Sequence, residues 1–307
     1  MTTATLRDRS VLITGGAGFI GSHLAEALVD ENDVLVFDDF SSGAPSNVPA
    51  GADLVEGDVR DRDALASAMD GVDVVFHLAA EASVSASVED PARCHAVNET
   101  GTVNVLEAAR EADARVVLAS SAAIYGHPDS VPIPEDAPTD PSSPYGIGKL
   151  SGDHYVRTYN DLYDLPTVAL RFFNVYGPGQ SGEYAGVITA FVEQARDGGP
   201  LTVHGDGEQT RDFVHVSDVV QALELAATTD AVGEAFNVAT GSSVTIRELA
   251  ETIRDIADDD VAITHTDGRD GDIQRSLADV SKARDRLGFE PTVQLEDGLT
   301  SLWNDWA

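Results

Sequence analysis

Three polar side chains in the middle of the chain have the types and spacing needed to move a proton to and from an alcohol. Tyr145 and Lys149 are four residues apart, so on a helix they share one face. An ammonium beside a phenol favours the phenolate, which predicts that Tyr145 acts as a base although a free tyrosine has a pKa of about 10. Ser121, at the end of an apolar run, could hold a substrate C–OH against Tyr145. Such a set oxidises and re-reduces an alcohol, but the Tyr–Lys spacing is common on helices, so its meaning depends on the surrounding elements.

The N-terminal elements supply that context as a strand, a glycine turn and a helix. Ser10 to Thr14 is a β-branched apolar run, and Gly15 to Gly21 contains four glycines before the helically spaced Leu24 and Leu28. Glycines let a backbone approach a pyrophosphate, and a helix N-terminus offers amide donors to it. The pattern favours a dinucleotide site over a glycine-rich turn that binds nothing.

A pair of acidic residues indicates which dinucleotide the predicted site binds. The second predicted strand, residues 33–37, ends in Asp38 and Asp39, about 20 residues beyond the glycines, where a carboxylate grips a ribose 2′-hydroxyl. No arginine follows Asp38 closely, and two carboxylates would repel a 2′-phosphate. NAD is therefore favoured over NADP.

Charge excludes two classes of partner. The 307 residues are enough for two compact units, and 19 Lys and Arg against 53 Asp and Glu give a net charge of −34. Such a field repels nucleic acid and anionic membranes, so neither is expected as a partner, and a phosphate-bearing ligand must meet local arginines. The charge suggests adaptation to a high-salt cytosol, with an acidic protein of ordinary salinity as the alternative.

The remaining composition predicts a cytoplasmic protein. A single cysteine, Cys94, excludes an intrachain disulfide and fits a reducing compartment. Met1 to Asp8 lack an apolar signal core, and no run approaches the ~18 apolar residues of a membrane span. The scattered histidines have no metal-ligand spacing, so no metal is expected.

Strands and helices alternate along the chain, which predicts an α/β fold, a Rossmann-type doubly wound parallel sheet with a smaller C-terminal α/β substrate domain. The predicted domains are an NAD-binding unit over 1–174, to which 213–240 returns, and a substrate-binding unit over 175–307. Ser143 and Pro144 have the N-cap and N1 residue types that open the helix carrying Tyr145. The predicted strands are residues 10–14, 33–37, 53–56, 73–77, 114–119 and 167–173.

A series of motifs in order along nearly the whole chain resembles the extended short-chain dehydrogenase/reductase superfamily, in its NAD-dependent nucleotide-sugar epimerase/dehydratase branch. The motifs are Thr14 to Gly21, Gly57-Asp58-Val59, Phe76 to Ala80, Asn98 with Gly101-Thr102, Ser121 with Tyr145 and Lys149, Arg171 to Pro178, Gly207 to Val216, Arg269 to Asp272 and Asp279 to Ala283.

The resemblance implies roles for individual residues. Ser121, Tyr145 and Lys149 would be catalytic, and Lys149 would also bind the nicotinamide ribose. A UDP-sugar is the implied substrate and a homodimer the implied assembly. The implied NAD-binding residues are Gly15, Gly18, Phe19, Ile20, Gly21, Asp38, Asp58, Val59, Leu78, Ala79, Ala80, Asn98 and Lys149. The implied substrate-binding residues are Ser121, Tyr145, Asn174, Arg211, Arg269 and Ser276.

The residues beside Ser121 favour one reaction of this branch. Dehydratases carry Thr-Asp-Glu where this chain has Ser121-Ala122-Ala123, and uronic acid decarboxylases carry Glu at the place of Ala123. Without those acids and bases, the prediction is C4 epimerisation through a transient 4-keto sugar. A 4-keto-sugar reductase, an epimerase of a UDP-uronic acid or dTDP-sugar, and a non-catalytic dinucleotide sensor stay as alternatives.

Two positions bear on the sugar. Ser276 falls where some UDP-galactose 4-epimerases have a bulky Tyr, and a small residue would leave room for an N-acetyl group. UDP-glucose/UDP-galactose and the N-acetylhexosamine pair are therefore both expected substrates. Glu81 stands where relatives usually have a neutral residue, and the sequence offers no account of it.

Overall fold

The computed structural model describes residues 6–180, 186–257, 261–268 and 271–306. The strands of this part of the chain are β1 (Ser10–Thr14), β2 (Asp33–Asp38), β3 (Asp53–Glu56), β4 (Val74–His77), β5 (Arg115–Ser121), β6 (Thr167–Phe172), β7 (Asn174–Tyr176), β8 (Leu201–His204), β9 (Thr210–Arg211), β10 (Phe213–His215), β11 (Glu234–Val238), β12 (Val244–Thr245) and β13 (Ile263–Thr266). The helices are α1 (Phe19–Leu28), α2 (Arg62–Ala68), α3 (Val84–Glu89), α4 (Pro91–His95), α5 (Thr102–Ala112), α6 (Pro144–Tyr163), α7 (Val187–Arg196), α8 (Val216–Thr228), α9 (Ile246–Ala257), α10 (Ser281–Leu287) and α11 (Leu295–Asp305).

Seven parallel strands form the main sheet in the order β11-β6-β5-β4-β1-β2-β3. Strand β1 pairs with β2 on one side and β4 on the other, with Val11 beside both Val34 and Val74. The chain therefore leaves β1 and β4 in opposite directions, which opens a crevice at the carboxyl ends of these strands. The predicted Rossmann-type sheet is confirmed.

Helices cover both faces of the sheet because its central strands are apolar on both sides. Leu24 and Leu28 of α1 and Leu223 of α8 are buried on one face, and Leu106 of α5 and Val156 of α6 on the other. Strand β11 joins the edge at β6, so the chain re-enters the sheet after residues 175–212.

A third core lies outside the sheet, between α7, α9 and α11. Its buried side chains include Phe191, Leu201, Leu249 and Leu302. Three short ladders, β7 with β10, β9 with β12 and β8 with β13, contribute side chains to this core or lie beside it.

Two local features position the site. A π-helical segment, Ala96–Gly101, joins α4 to α5, and Asn98 is buried within it. The Ser143 hydroxyl accepts a hydrogen bond of 3.1 Å from the Gly146 amide, with Pro144 at the first helical position, so the predicted cap opens α6.

Within the described residues, no helix has the length and apolar composition that crossing a bilayer requires.

Candidate active site

A cavity of about 350 Å³ opens at the carboxyl ends of β1, β2, β4 and β5. It brings together the three predicted catalytic residues and all but one of the predicted NAD-binding residues. Those on its wall are Gly15, Gly18, Phe19, Ile20, Gly21, Asp38, Asp58, Val59, Leu78, Ala79, Ala80, Ser121, Tyr145 and Lys149.

The glycine turn is shaped by close backbone contacts. Gly15 has a φ of +72°, and a Cβ there would lie 2.6 Å from the Ala79 nitrogen. A Cβ on Gly21 would lie 2.2 Å from the Gly15 oxygen. Gly18 caps α1 without a side-chain hydrogen bond, and no acid stands in the first turn, so the helix N-terminus can receive a pyrophosphate.

Asp38 is held at the end of β2 by backbone amides. One carboxylate oxygen accepts from Ala17 N at 2.9 Å and the other from Phe40 N at 2.8 Å. Burial raises the pKa of Asp38, and these two amide hydrogen bonds offset part of the rise. A buried carboxylate at this point fits a ribose hydroxyl and disfavours a 2′-phosphate.

Asp39, the second member of the predicted acidic pair, also lines this end of the cavity. Three further polar side chains on the same wall were missed from the sequence, where their only signal is that they follow Asp38 within ten residues. They are Ser41, Ser42 and Asn47.

A chain of buried hydrogen bonds fixes the loop after β4. Thr102 Oγ1 donates to Asn98 O (2.7 Å), so it accepts from His77 Nε2 (3.0 Å). His77 Nδ1 then accepts from Thr14 Oγ1 (2.7 Å), which in turn faces Ala79 N at 3.5 Å. Burial, with a smaller contribution from the Lys149 charge, lowers the pKa of His77 to about 3, so this histidine is a neutral structural link.

Asn98 is the predicted NAD-binding residue that is not on the cavity wall. Its amide accepts from Glu81 N at 2.8 Å and donates to Glu81 O at 3.0 Å. Because both ends of the amide are engaged, Asn98 acts on the site by holding Glu81, which itself lines the cavity.

The catalytic candidates meet where β5 ends and α6 begins. Burial along β5 ends at Ser120, while sheet pairing continues to Ser121, which is partly exposed. The Ser121 Oγ accepts from Ala123 N at 3.1 Å and hydrogen-bonds Tyr145. Lys149 is buried, donates to Ala119 O at 2.8 Å, and places its Nζ 5.9 Å from the centre of the Tyr145 ring.

The expectation that Lys149 makes Tyr145 acidic is wrong for the protein alone. Burial raises the pKa of Tyr145, and the Ser121 hydrogen bond offsets only part of that rise. The largest cause is burial of the phenol, while Lys149 directs its ammonium to Ala119 O and burial lowers the pKa of Lys149 to about 8. A phenolate at Tyr145 therefore needs further positive charge at the site.

Lys149 predicts a stability change at alkaline pH. Its pKa falls from 10.5 in the unfolded chain to about 8 in the folded one, so between these values the unfolded state binds more protons and stability rises with pH. We expect the free energy of unfolding of the protein, relative to Lys149→Met, to rise by about 3 kcal/mol over this window. Guanidinium denaturation at each pH measures it, and parallel curves for the two proteins would contradict it.

Two of the six predicted substrate residues line a second cavity of about 380 Å³, which meets the first, where Ser121 and Tyr145 lie, at Val175 and Gln180. Asn174 and Arg211 line it. Asn174 donates to Asp212 O at 2.8 Å. Arg211 is half-buried, pairs with Asp272, and donates to Thr210 O at 2.8 Å.

The other two predicted substrate residues are not on this wall. Ser276 is buried beside β9, where its amide donates to Thr210 O at 3.2 Å, and it lines neither cavity. Arg269 lies outside the described residues.

Comparison with known proteins agrees with this geometry. The model of the NAD dependent epimerase/dehydratase family matches residues 11–239. The chain belongs to that family. It is 40% identical over 299 residues to the UDP-glucose 4-epimerase of Mycolicibacterium smegmatis, covering 94% of this chain and 95% of the relative.

Two solved members of the family have the same fold. The UDP-N-acetylglucosamine 4-epimerase of Methanobrevibacter ruminantium M1, in complex with UDP-N-acetylmuramic acid, superposes with a TM-score of 0.93 at 37% identity, over 97% of this chain and 99% of that one. The UDP-glucose 4-epimerase of Thermotoga maritima, with UDP-glucose, gives 0.92 at 38% identity, over 95% and 96%. The family is NAD-dependent, and the glycine turn, the α1 N-terminus and Asp38 fit that cofactor.

Proposed function

We propose that this family member catalyses C4 epimerisation of a UDP-sugar, with UDP-glucose/UDP-galactose and the N-acetylhexosamine pair as substrates. The observation that carries the proposal is the convergence of Ser121, Tyr145 and Lys149 on the NAD cavity, with Ala122 and Ala123 beside them. The methyl side chains of these alanines supply no acid or base for water elimination or decarboxylation. An alcohol-oxidising set without those groups supports epimerisation.

The residues act on the proton of the C4 hydroxyl. Tyr145 Oη takes that proton while the Ser121 hydroxyl hydrogen-bonds the same oxygen, and Tyr145 returns the proton when the ketone is reduced. Lys149 contributes positive charge from the next turn of α6. NAD, when bound, supplies the hydride acceptor and donor and a positive charge that favours the phenolate. The 4-keto sugar turns between the two steps, so the reduced carbon can have either configuration.

We place the nucleotide end of the substrate in the part formed by 175–307, with 1–174 and the returning segment 213–240 forming the NAD-binding unit. Arg211 and Asn174, and by resemblance Arg269, would hold the diphosphate, because guanidinium groups bind phosphate oxygens in pairs. The sugar would then lie where the cavities meet, near Val175 and Gln180. Tight binding of the diphosphate would keep the substrate in the site while the sugar is free to rotate.

Proton NMR of purified protein with catalytic NAD tests the reaction. UDP-glucose and UDP-N-acetylglucosamine are offered separately, and growth of the galacto anomeric signal without net NADH supports epimerisation. Net NADH formation would favour a reductase of 4-keto sugars. No turnover of either sugar by protein that binds NAD would overturn the proposed reaction and direct the assay to uronic acid and dTDP-sugars.

We also propose that the protein is a homodimer. Ile147, Tyr155 and Leu162 share a face of α6 and are 42–67% exposed, next to Val84 and Val88 on α3, which are 50% and 63% exposed. A second copy of this face is the occupant with matching chemistry.

Leu162→Glu is expected to convert the dimer to a monomer, because it places a carboxylate in the apolar face. Light scattering after gel filtration measures the mass, with the exposed Asp161→Ala as the control. A monomeric starting protein, or a Leu162→Glu protein of unchanged mass, would contradict the proposal.

A further inference from the structure

Glu81 and Arg93 form an ion pair on the wall of the NAD cavity. Glu81 is 8% exposed, its Oε2 lies 3.5 Å from Arg93 Nε, and both residues line the cavity. The Asn98 side chain fixes the Glu81 backbone by hydrogen bonds with its N–H and its carbonyl. The Arg93 side chain is 48% exposed, so its guanidinium is accessible to a ligand in the cavity.

Arg93 is placed between two strand ends. The pKa of Asp58, after β3, is lowered mainly by its hydrogen bond with Arg60, and the Arg93 charge adds to that lowering. On the other side, Glu81 is two residues from Ala79, whose nitrogen closely approaches Gly15. Arg93 therefore lies near both Asp58 and Glu81, on a cavity wall that also includes the glycine turn.

The charge of this wall is unfavourable for a dinucleotide. Its described residues include four carboxylates, Asp38, Asp39, Asp58 and Glu81, against two cations, Arg93 and Lys149. Lys149 is engaged at the catalytic end by Ala119 O. A pyrophosphate brings two more negative charges, and the amides at the α1 N-terminus carry only partial positive charge.

We propose that Arg93 binds the NAD pyrophosphate and at the same time neutralises Glu81, so that the cofactor is enclosed between the glycine turn and α4. A guanidinium can make both interactions because its planar N–H donors can hydrogen-bond a carboxylate and a phosphate at the same time. The inference depends on the NAD site alone, so it can fail or succeed independently of the sugar reaction.

The test is calorimetric titration of nucleotide-free protein with NAD, ADP-ribose and adenosine. Arg93→Ala is expected to weaken NAD and ADP-ribose about 10-fold or more, since a hydrogen bond to a charged group contributes that much, and to leave adenosine unchanged. The Arg93→Ala, Glu81→Gln double variant is expected to recover part of the affinity, because the unmasked carboxylate is removed. Arg110→Ala is the matched control, an arginine that pairs with Glu107 on the surface of α5.

The dependence of NAD affinity on ionic strength provides a second test of the proposed contact. Wild-type affinity for NAD should fall more steeply with KCl than that of Arg93→Ala. Unchanged NAD affinity in Arg93→Ala, or an equal loss for adenosine, would overturn the pyrophosphate contact. Thermal melting of each variant establishes that a loss is not unfolding.

Discussion

Replacing Tyr145 with Phe is expected to lower kcat for UDP-sugar epimerisation about 10³-fold, because general acid–base catalysis contributes 10² to 10⁴ and the variant keeps the ring but loses the proton carrier. The fold should be unaffected, since Tyr145 is half-buried at the cavity and its backbone, not its phenol, is bonded to Ser87. NAD affinity should also change little. Stopped-time NMR of the anomeric signals measures the rate.

Tyr163→Phe is the matched control, because Tyr163 lies on the same helix and its side chain is 50% exposed. Its rate should equal that of the unmodified protein. Ser121→Ala should lie between the two variants, since Ser121 positions the alcohol without taking its proton. A Tyr145→Phe protein with more than a tenth of the original rate would remove Tyr145 from the base role and with it the proposed mechanism.

The pH dependence of the same reaction separates two sources of phenolate stabilisation. Burial raises the pKa of Tyr145 in the protein alone, so the neighbouring lysine is not sufficient. If the charge of bound NAD completes the site, the alkaline shift in the phenol absorbance of Tyr145 should move to lower pH when NAD is added. Tyr145→Phe provides the baseline for that titration.

The sequence predicts the sheet and the cofactor turn well because both are local patterns. The β-branched run before Gly15 and the Ser143-Pro144 cap specify their elements within a few residues, and both are found where expected. The order of the motifs alone predicts that Ser121 and Tyr145 lie close together, because the carboxyl ends of parallel strands and the starts of the following helices meet at the same edge of the sheet.

The sequence does not predict the contacts of individual side chains in the site, because these depend on the direction in which each side chain points. The Tyr–Lys spacing is correct, but Lys149 donates to Ala119 O, and burial of the phenol raises the pKa of Tyr145 where a lower one was expected. Asn98 is in the predicted motif, yet the π-helical segment aims its amide at the Glu81 backbone. Arg93 stands in no motif, and only the packing of α4 brings it to the cavity.

A buried ion pair beneath the site is equally invisible in sequence. Asp153 on α6 is wholly buried and lies one turn beyond Lys149. Arg171 on β6 donates to it twice, from Nε and Nη2, at 2.9 Å each. Ser120, the neighbour of Ser121, donates to the same carboxylate at 3.1 Å. The interaction with Arg171 keeps the pKa of Asp153 below its ordinary value although burial acts in the opposite direction.

Asp153→Ala is expected to lower the free energy of unfolding by about 3–5 kcal/mol, because it leaves the Arg171 guanidinium buried without its counter-charge. Guanidinium denaturation measures this, with the exposed Asp161→Ala on the same helix as the control, expected within about 0.5 kcal/mol of the unmodified protein.

The double variant Asp153→Ala, Arg171→Met distinguishes two causes of the stability loss, an unpaired buried charge and the cavity left by the Asp153 side chain. If the cost is an unpaired charge, removing both charges restores most of the stability, since an apolar replacement of a buried pair is often neutral. The Ser120 hydroxyl then still lacks its acceptor, so activity should recover less than stability, because β5 carries Ser121 directly after Ser120. Equal losses in the single and double variants would instead mean that the cavity left by Asp153 dominates. A loss below 1 kcal/mol in Asp153→Ala would show that water reaches Arg171 and that the pair does not hold β5 to α6.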